Sequence, residues 1–146
     1  MGCPKILEGD CSVDDRGIVS FLNVLPFEKV KRSYIVENFS TDTVRAFHGH
    51  KIEEKFVLAI SGAAIIVVAK MSTDIKSLED PKRYVLSNKK LQVLHIPFWH
   101  ANGFRALELN TKLAFFSTTT IDQAKEDDYR FPYDYFGKLV WTVESR

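Results

Sequence analysis

Phe56-Val57-Leu58-Ala59-Ile60-Ser61-Gly62-Ala63-Ala64-Ile65-Ile66-Val67-Val68-Ala69-Lys70 is the stretch whose reading decides the fold. Two apolar runs of strand length flank Ser61-Gly62, a pair suited to a tight turn, so the segment reads as an antiparallel hairpin. Neither run approaches the roughly 18 residues that span a bilayer as a helix. Moving outward, Gly17 to Leu22, Val30 to Phe39 and Val44 to His48 precede the hairpin, all rich in β-branched and aromatic residues. Arg83 to Leu86, Leu91 to Ile96, Phe104 to Leu109 and Leu113 to Thr119 follow it. Short, evenly punctuated runs of this kind predict an all-β antiparallel sandwich or barrel. Helical signal is confined to Asp122 to Asp128, with Thr120 or Asp122 as cap. The polar stretch Ser72 to Lys82, which contains Asp80-Pro81, reads as a surface loop. The segment Tyr129 to Val143 carries Phe131, Tyr133, Tyr135, Phe136 and Trp141, and is expected to pack back onto the barrel or onto a partner.

A length of 146 residues fits one domain, 1–146, with a core of its own. The charges nearly cancel at +1, from 20 basic and 19 acidic residues, which argues against a nucleic-acid binder driven by bulk charge. The first ten residues lack the apolar core of a signal peptide, so neither membrane nor export is expected. Cys3 and Cys11 have no metal-type spacing and read as reduced thiols of a cytoplasmic protein.

Chemistry concentrates in Arg45-Ala46-Phe47-His48-Gly49-His50. In a strand, His48 and His50 share a face, whereas Arg45 has the opposite parity unless the strand bends or bulges. His48-x-His50-x3-Glu54-x7-Gly62 is close to the first cupin motif, and Pro97-Phe98-Trp99-His100-Ala101-Asn102 resembles the second, with Trp99 in place of glycine and Asn102 in place of histidine. Two imidazoles and a carboxylate (His48, His50, Glu54) suit a transition metal. Asn102 is a poor fourth ligand, and a polar barrel-lining or substrate-binding histidine is the competing reading.

The same hexapeptide resembles the Arg-Gly-Leu-His-x-Gln signature of the dTDP-4-keto-6-deoxyglucose 3,5-epimerases. Asp14-Asp15-Arg16-Gly17, Ile96-Pro97 to Asn102-Gly103-Phe104, and Asp134 to Trp141 resemble further segments of that family, in the right order across residues 10 to 141. The resemblance implies a cupin jelly-roll barrel, a homodimer and an isomerase that needs no cofactor. Its substrate would be a nucleotide-diphosphate 4-keto-6-deoxysugar of deoxysugar and surface-polysaccharide (lipopolysaccharide O-antigen) synthesis. Carried over by residue, His48 would be the general base, Asp134 its orienting carboxylate and Lys55 the cation beside the keto oxygen, with Arg16 and Arg45 holding the diphosphate. Phe116 occupies the position of the family's proton-donating tyrosine, and phenylalanine cannot donate a proton.

A sister family, the nucleotide-sugar 3,4-ketoisomerases, offers the alternative. Lys31-Arg32-Ser33-Tyr34 followed by His48-Gly49-His50-Lys51 resembles its pattern, which implies proton shuttling by His48 and His50 with Arg32 and Tyr34 near the sugar. Asn102 would contact substrate in either case. A metal-dependent cupin and a non-catalytic sugar-binding cupin complete the alternatives.

Overall fold

A computed structural model describes residues 2–146. The described residues form twelve strands and one short α-helix. The strands are β1 (Lys5–Glu8), β2 (Asp10–Asp14), β3 (Gly17–Phe21), β4 (Arg32–Glu37), β5 (Val44–His50) and β6 (Lys55–Ser61). They continue as β7 (Ala63–Met71), β8 (Leu78–Ser87), β9 (Gln92–Ile96), β10 (His100–Ala106), β11 (Lys112–Ser117) and β12 (Tyr129–Arg130), with α1 at Ile121–Glu126. One sheet has the order β1-β9-β6-β11-β4 and the other β12-β5-β10-β7-β8, while β2 and β3 pair only with each other. Every described pairing is antiparallel. Two antiparallel sheets packed face to face and linked by crossovers make a jelly roll of the cupin type.

The expected turn at Ser61-Gly62 joins β6 to β7, but the two strands do not pair as a hairpin: β6 lies between β9 and β11 in one sheet and β7 between β10 and β8 in the other. Gly62 has φ +69, and a Cβ there would come within 3 Å of Thr111, so both its torsion and its space call for glycine. Alternation then sorts β7 between two cores. Ala64, Ile66 and Val68 face inward and meet Val57, Leu94, Ile96, Leu113 and Phe115 between the sheets. Ile65, Val67 and Ala69 face outward, where Phe47, Met71 and Trp141 cover them. That outer layer is the aromatic segment folded back onto its own barrel: Phe131, Phe136 and Trp141 all pack there, and the Trp141 indole N–H donates to the Tyr133 carbonyl at 2.9 Å. Burying one such aliphatic or aromatic side chain contributes about 2 kcal/mol, so this outer layer is a second source of stability and not an appendage.

The strands β1, β2 and β12 lie outside the runs read as strands, and two strand starts move upstream by four residues or more. The stretch Ser72 to Lys82 is a loop only as far as Ser77, because β8 begins at Leu78. Asp80-Pro81 is absorbed by a register shift opposite Val68 and Lys70, on an edge strand where a missing N–H costs no ladder bond. Likewise β10 starts at His100, four residues before the expected Phe104. The helix matches expectation, and its Thr120 cap completes a capping box with Gln123.

Candidate functional site

The strands β4, β5, β6, β10 and β11, together with the residues around β12, enclose a cavity of about 260 Å3. It is lined by His48, His50, Lys55, Arg45, Arg32, Tyr34 and Asn102, all candidates from the sequence, and by Glu53, Asp128, Arg130 and Phe115, which the sequence did not single out. The parity problem of Arg45 is solved by a bulge. On β10 the pairing steps from Asn102 opposite His48 to Phe104 opposite Arg45, so three steps on β5 match two on β10. Both Arg45 and His48 therefore line the cavity, and the Arg45 guanidinium Nε donates to Asn38 Oδ1 at 2.7 Å. Gly103 sits inside this irregularity, where a Cβ would lie 2.1 Å from that of Ala46.

A second device sets the loop between β5 and β6. Asp127, buried just before β12, accepts the N–H of Lys51 at 2.7 Å on one carboxylate oxygen and those of Ile52 and Glu53 at 3.0 and 3.1 Å on the other. Its own carbonyl accepts from His50 Nδ1 at 2.5 Å. The loop conformation fixed in this way turns Glu53 into the cavity wall and Glu54 to the outer face. There Glu54 Oε2 lies 2.6 Å from His95 Nε2. The His48–His50–Glu54 metal triad is thus not assembled, and among the described residues no group of three His, Cys, Asp or Glu side chains is arranged to hold a metal.

Three further sequence expectations are redirected. Asp134 lies in an exposed turn, where its carbonyl accepts from the Gly137 N–H at 2.8 Å, and it does not line the cavity. Phe131, Phe136, Val140 and Trp141 commit this segment to the outer core, and Asp128 is a carboxylate that does line the cavity with His48. Phe116 points away from the cavity and packs against Phe27, while its neighbour Phe115, of opposite parity, lines the wall. Arg16 sits at the tip of the β2–β3 hairpin, 86% exposed and paired with Asp14 at 2.5 Å, outside the cavity of its own chain.

The charges in the cavity are tuned by burial. Glu53 is fully buried, and burial alone would raise its pKa. His50, Lys55 and Ser117 outweigh that effect and hold it at about 2, as an anion. Arg32 donates to Glu53 Oε1 at 2.7 Å, and the Ser117 hydroxyl donates to the same oxygen. Lys55 is buried with its ammonium 3.3 Å from Asn102 Oδ1; burial lowers its pKa to about 8 even though Glu53 opposes the shift. His48 is pushed below the ordinary histidine value by burial and by the Arg130 and Lys55 cations. It is therefore a neutral imidazole near neutral pH, able to take a proton. Burial, with Glu53 nearby, raises the Tyr34 phenol to about 12, so it keeps its proton.

Comparisons place this architecture. The family model described as FdtA, WxcM-like, C-terminal, matches residues 5–141, and the chain belongs to that family. No curated protein sequence matches the chain. Among solved structures it is similar to a 3,4-ketoisomerase from Helicobacter canadensis (25% identity, TM-score 0.72, covering 94% of this chain and 96% of that one). It is also similar to the WlaRB TDP-quinovose 3,4-ketoisomerase from Campylobacter jejuni (23%, 0.71, 93% and 98%). A third is the dTDP-4-dehydrorhamnose 3,5-epimerase from Bacillus anthracis with TDP and pyrophosphate bound (22%, 0.78, 97% and 86%).

Asp127→Ala removes the acceptor of three successive backbone N–H groups. It is expected to lower the unfolding free energy by about 3 kcal/mol. Urea unfolding checks this, and an unchanged midpoint contradicts the clamp.

Proposed function

We propose that the chain is an isomerase of nucleotide-diphosphate 4-keto-6-deoxysugars that moves the ketone between C4 and C3. The observation that carries this reading is the pair of histidines. His48 and His50 line one cavity, His48 is held neutral, and His50 Nε2 has no protein partner. The chain also matches the 3,4-ketoisomerases from Helicobacter canadensis and Campylobacter jejuni over nearly the full length of both partners, whereas the epimerase from Bacillus anthracis extends further beyond it.

The chemistry follows from an acid C–H beside a ketone. His48 takes the proton from C3, and the negative charge that develops on the C4 oxygen is stabilised by the Lys55 ammonium. His48 returns that proton to the C4 oxygen, which gives an enediol. His50 Nε2 then takes the proton of the C3 hydroxyl as the ketone forms there and delivers it to C4. No atom is gained or lost, and no cofactor enters the balance. Arg32, Arg45, Lys55 and Arg130 outnumber the carboxylates Glu53 and Asp128 at the wall, with which Arg32 and Arg130 pair, and this cationic excess suits the diphosphate of the substrate. The neighbours solved with TDP point to the same ligand class.

A second reading, epimerisation at C3, is favoured by Tyr34. Its protonated phenol lines the same cavity and supplies the donor that Phe116 cannot.

We further infer a cytoplasmic homodimer. Cys3 and Cys11 are free and exposed, and no described helix is long and apolar enough to cross a membrane. Val13, Ile18 and Val19 on the detached hairpin are each about two-thirds exposed, as are Phe27 and Ile35. A second copy would cover them and would bring Arg16 to the other chain's cavity. Sedimentation should read twice the 16.7 kDa chain mass; a monomer removes this assignment.

The experiment is NMR of the product formed from a panel of 4-keto-6-deoxysugar nucleotides. A ketone at C3 with retained C5 configuration is expected; a C3 epimer that keeps its C4 ketone selects the second reading, and no conversion of any member overturns both. The same assay against pH tests Lys55. Its ammonium is present below about pH 8 and is lost as pH rises through that value, so kcat/KM should fall there. Lys55→Arg, charged throughout, should lose that alkaline limb; a limb that persists in the variant contradicts the role.

A further inference from the structure

The cluster behind His50 has an arrangement that the proton shuttle alone does not explain. His50 Nδ1 lies 2.5 Å from the Asp127 carbonyl and 3.0 Å from Glu53 Oε2. Both are acceptors, so the hydrogen of a neutral His50 ring is on Nδ1. Its Nε2 then carries the lone pair, is buried, and has no protein partner. Glu53 is itself held from the other side: Arg32 and the Ser117 hydroxyl both donate to Oε1, while Oε2, the oxygen beside His50, has no hydrogen-bond donor of its own. A fully buried carboxylate costs several kcal/mol in desolvation, which argues that its placement serves more than stability.

We propose that Glu53 is the positioning residue for His50: it holds the imidazole in the Nδ1–H tautomer and balances the charge that forms when Nε2 accepts a proton in the cavity. This is the task that the sequence assigned to Asp134 towards His48, carried instead by a residue three positions after the second histidine. The proposal rests on the isomerase reading only for its kinetic arm. Glu53 acts through His50 and touches no substrate atom. Asp127 contributes a neutral carbonyl to the same nitrogen, so tautomer and ring angle have two sources, and the compensating charge has one.

Two measurements test this. The first needs no substrate and so stands apart from the assignment of function. Long-range nitrogen–proton NMR of the wild-type protein near neutral pH should show His50 with a protonated Nδ1 and an unprotonated Nε2. A neutral ring protonated on Nε2 overturns the proposal. The second uses Glu53→Gln, which keeps shape and removes charge. On the substrate that the wild type converts, kcat should fall about 100-fold with KM changed by less than about threefold. In a His50→Gln background the same change should add less than about twofold, because the partner it acts through is gone. Losses that multiply in the double variant, or a Glu53→Gln enzyme at wild-type kcat, overturn the proposal. If Glu53→Gln does not fold, the tautomer measured on the wild-type protein decides alone.

Discussion

The Asp127 carboxylate, with three successive backbone N–H groups of residues 51–53 pointed at it, is the constraint on which the rest of the site depends. It joins the end of α1 to the loop that leaves β5, across some 75 positions of sequence. By fixing that loop it decides which of two adjacent glutamates enters the cavity. Glu53 goes in, where Arg32 and Ser117 bind it; Glu54 goes out, where His95 binds it. The exchange of one carboxylate for the other separates a proton-transfer cavity from a metal-binding one, and the same aspartate accepts from His50 through its carbonyl. A buried group that satisfies so many donors explains why a two-residue strand, β12, can close the edge of a sheet beside the working histidine.

The electrostatics of the cavity follow from that choice. With Glu53 fixed as an anion, two cations, Arg32 and Lys55, can remain close together in a buried space. Lys55 is shifted to about 8, close enough to neutrality to stay charged when it is needed and far enough from its ordinary value to show the cost of burial. His48 lies among Lys55, Arg130 and Asp128 and is kept neutral by burial and by the two cations. The charge states of His48, Lys55 and Tyr34 are thus set by one distribution of charge. A change to any one of these groups is felt by the others, because buried charges are weakly screened.

The barrel was legible in the sequence because its signal is local. Nine strands carried alternating or continuous β-branched runs, and Ser61-Gly62 marked the turn that links the two sheets. The boundaries at Leu78 and His100 were missed because a bulge and an edge position tolerate residues such as Asp80 and Pro81, which otherwise announce a loop. Most of the predicted site residues meet in one cavity, since period two in β5 and the pairing of β5 with β10 bring His48, His50 and Asn102 together. Glu53, Asp127 and Asp128 were not legible as site residues. Their roles arise from contacts across some 75 residues, and adjacent pairs such as Glu53-Glu54 and Asp127-Asp128 give no local sign of which member turns inward. Asp134 illustrates the opposite error: its spacing to Trp141 matched a pattern, yet packing of the aromatic segment on the outer core keeps it in solvent.

The central claim is that His48 and His50 are two halves of one proton shuttle. The direct test follows a 4-keto-6-deoxysugar nucleotide by NMR in D2O with His48→Ala and His50→Ala beside the wild type. The account predicts deuterium at the sugar carbons and a migrated ketone with the wild type, no deuterium wash-in with His48→Ala, and loss of ketone migration with His50→Ala. Deuterium incorporation at the wild-type rate by His48→Ala, or undiminished migration by His50→Ala, would contradict it.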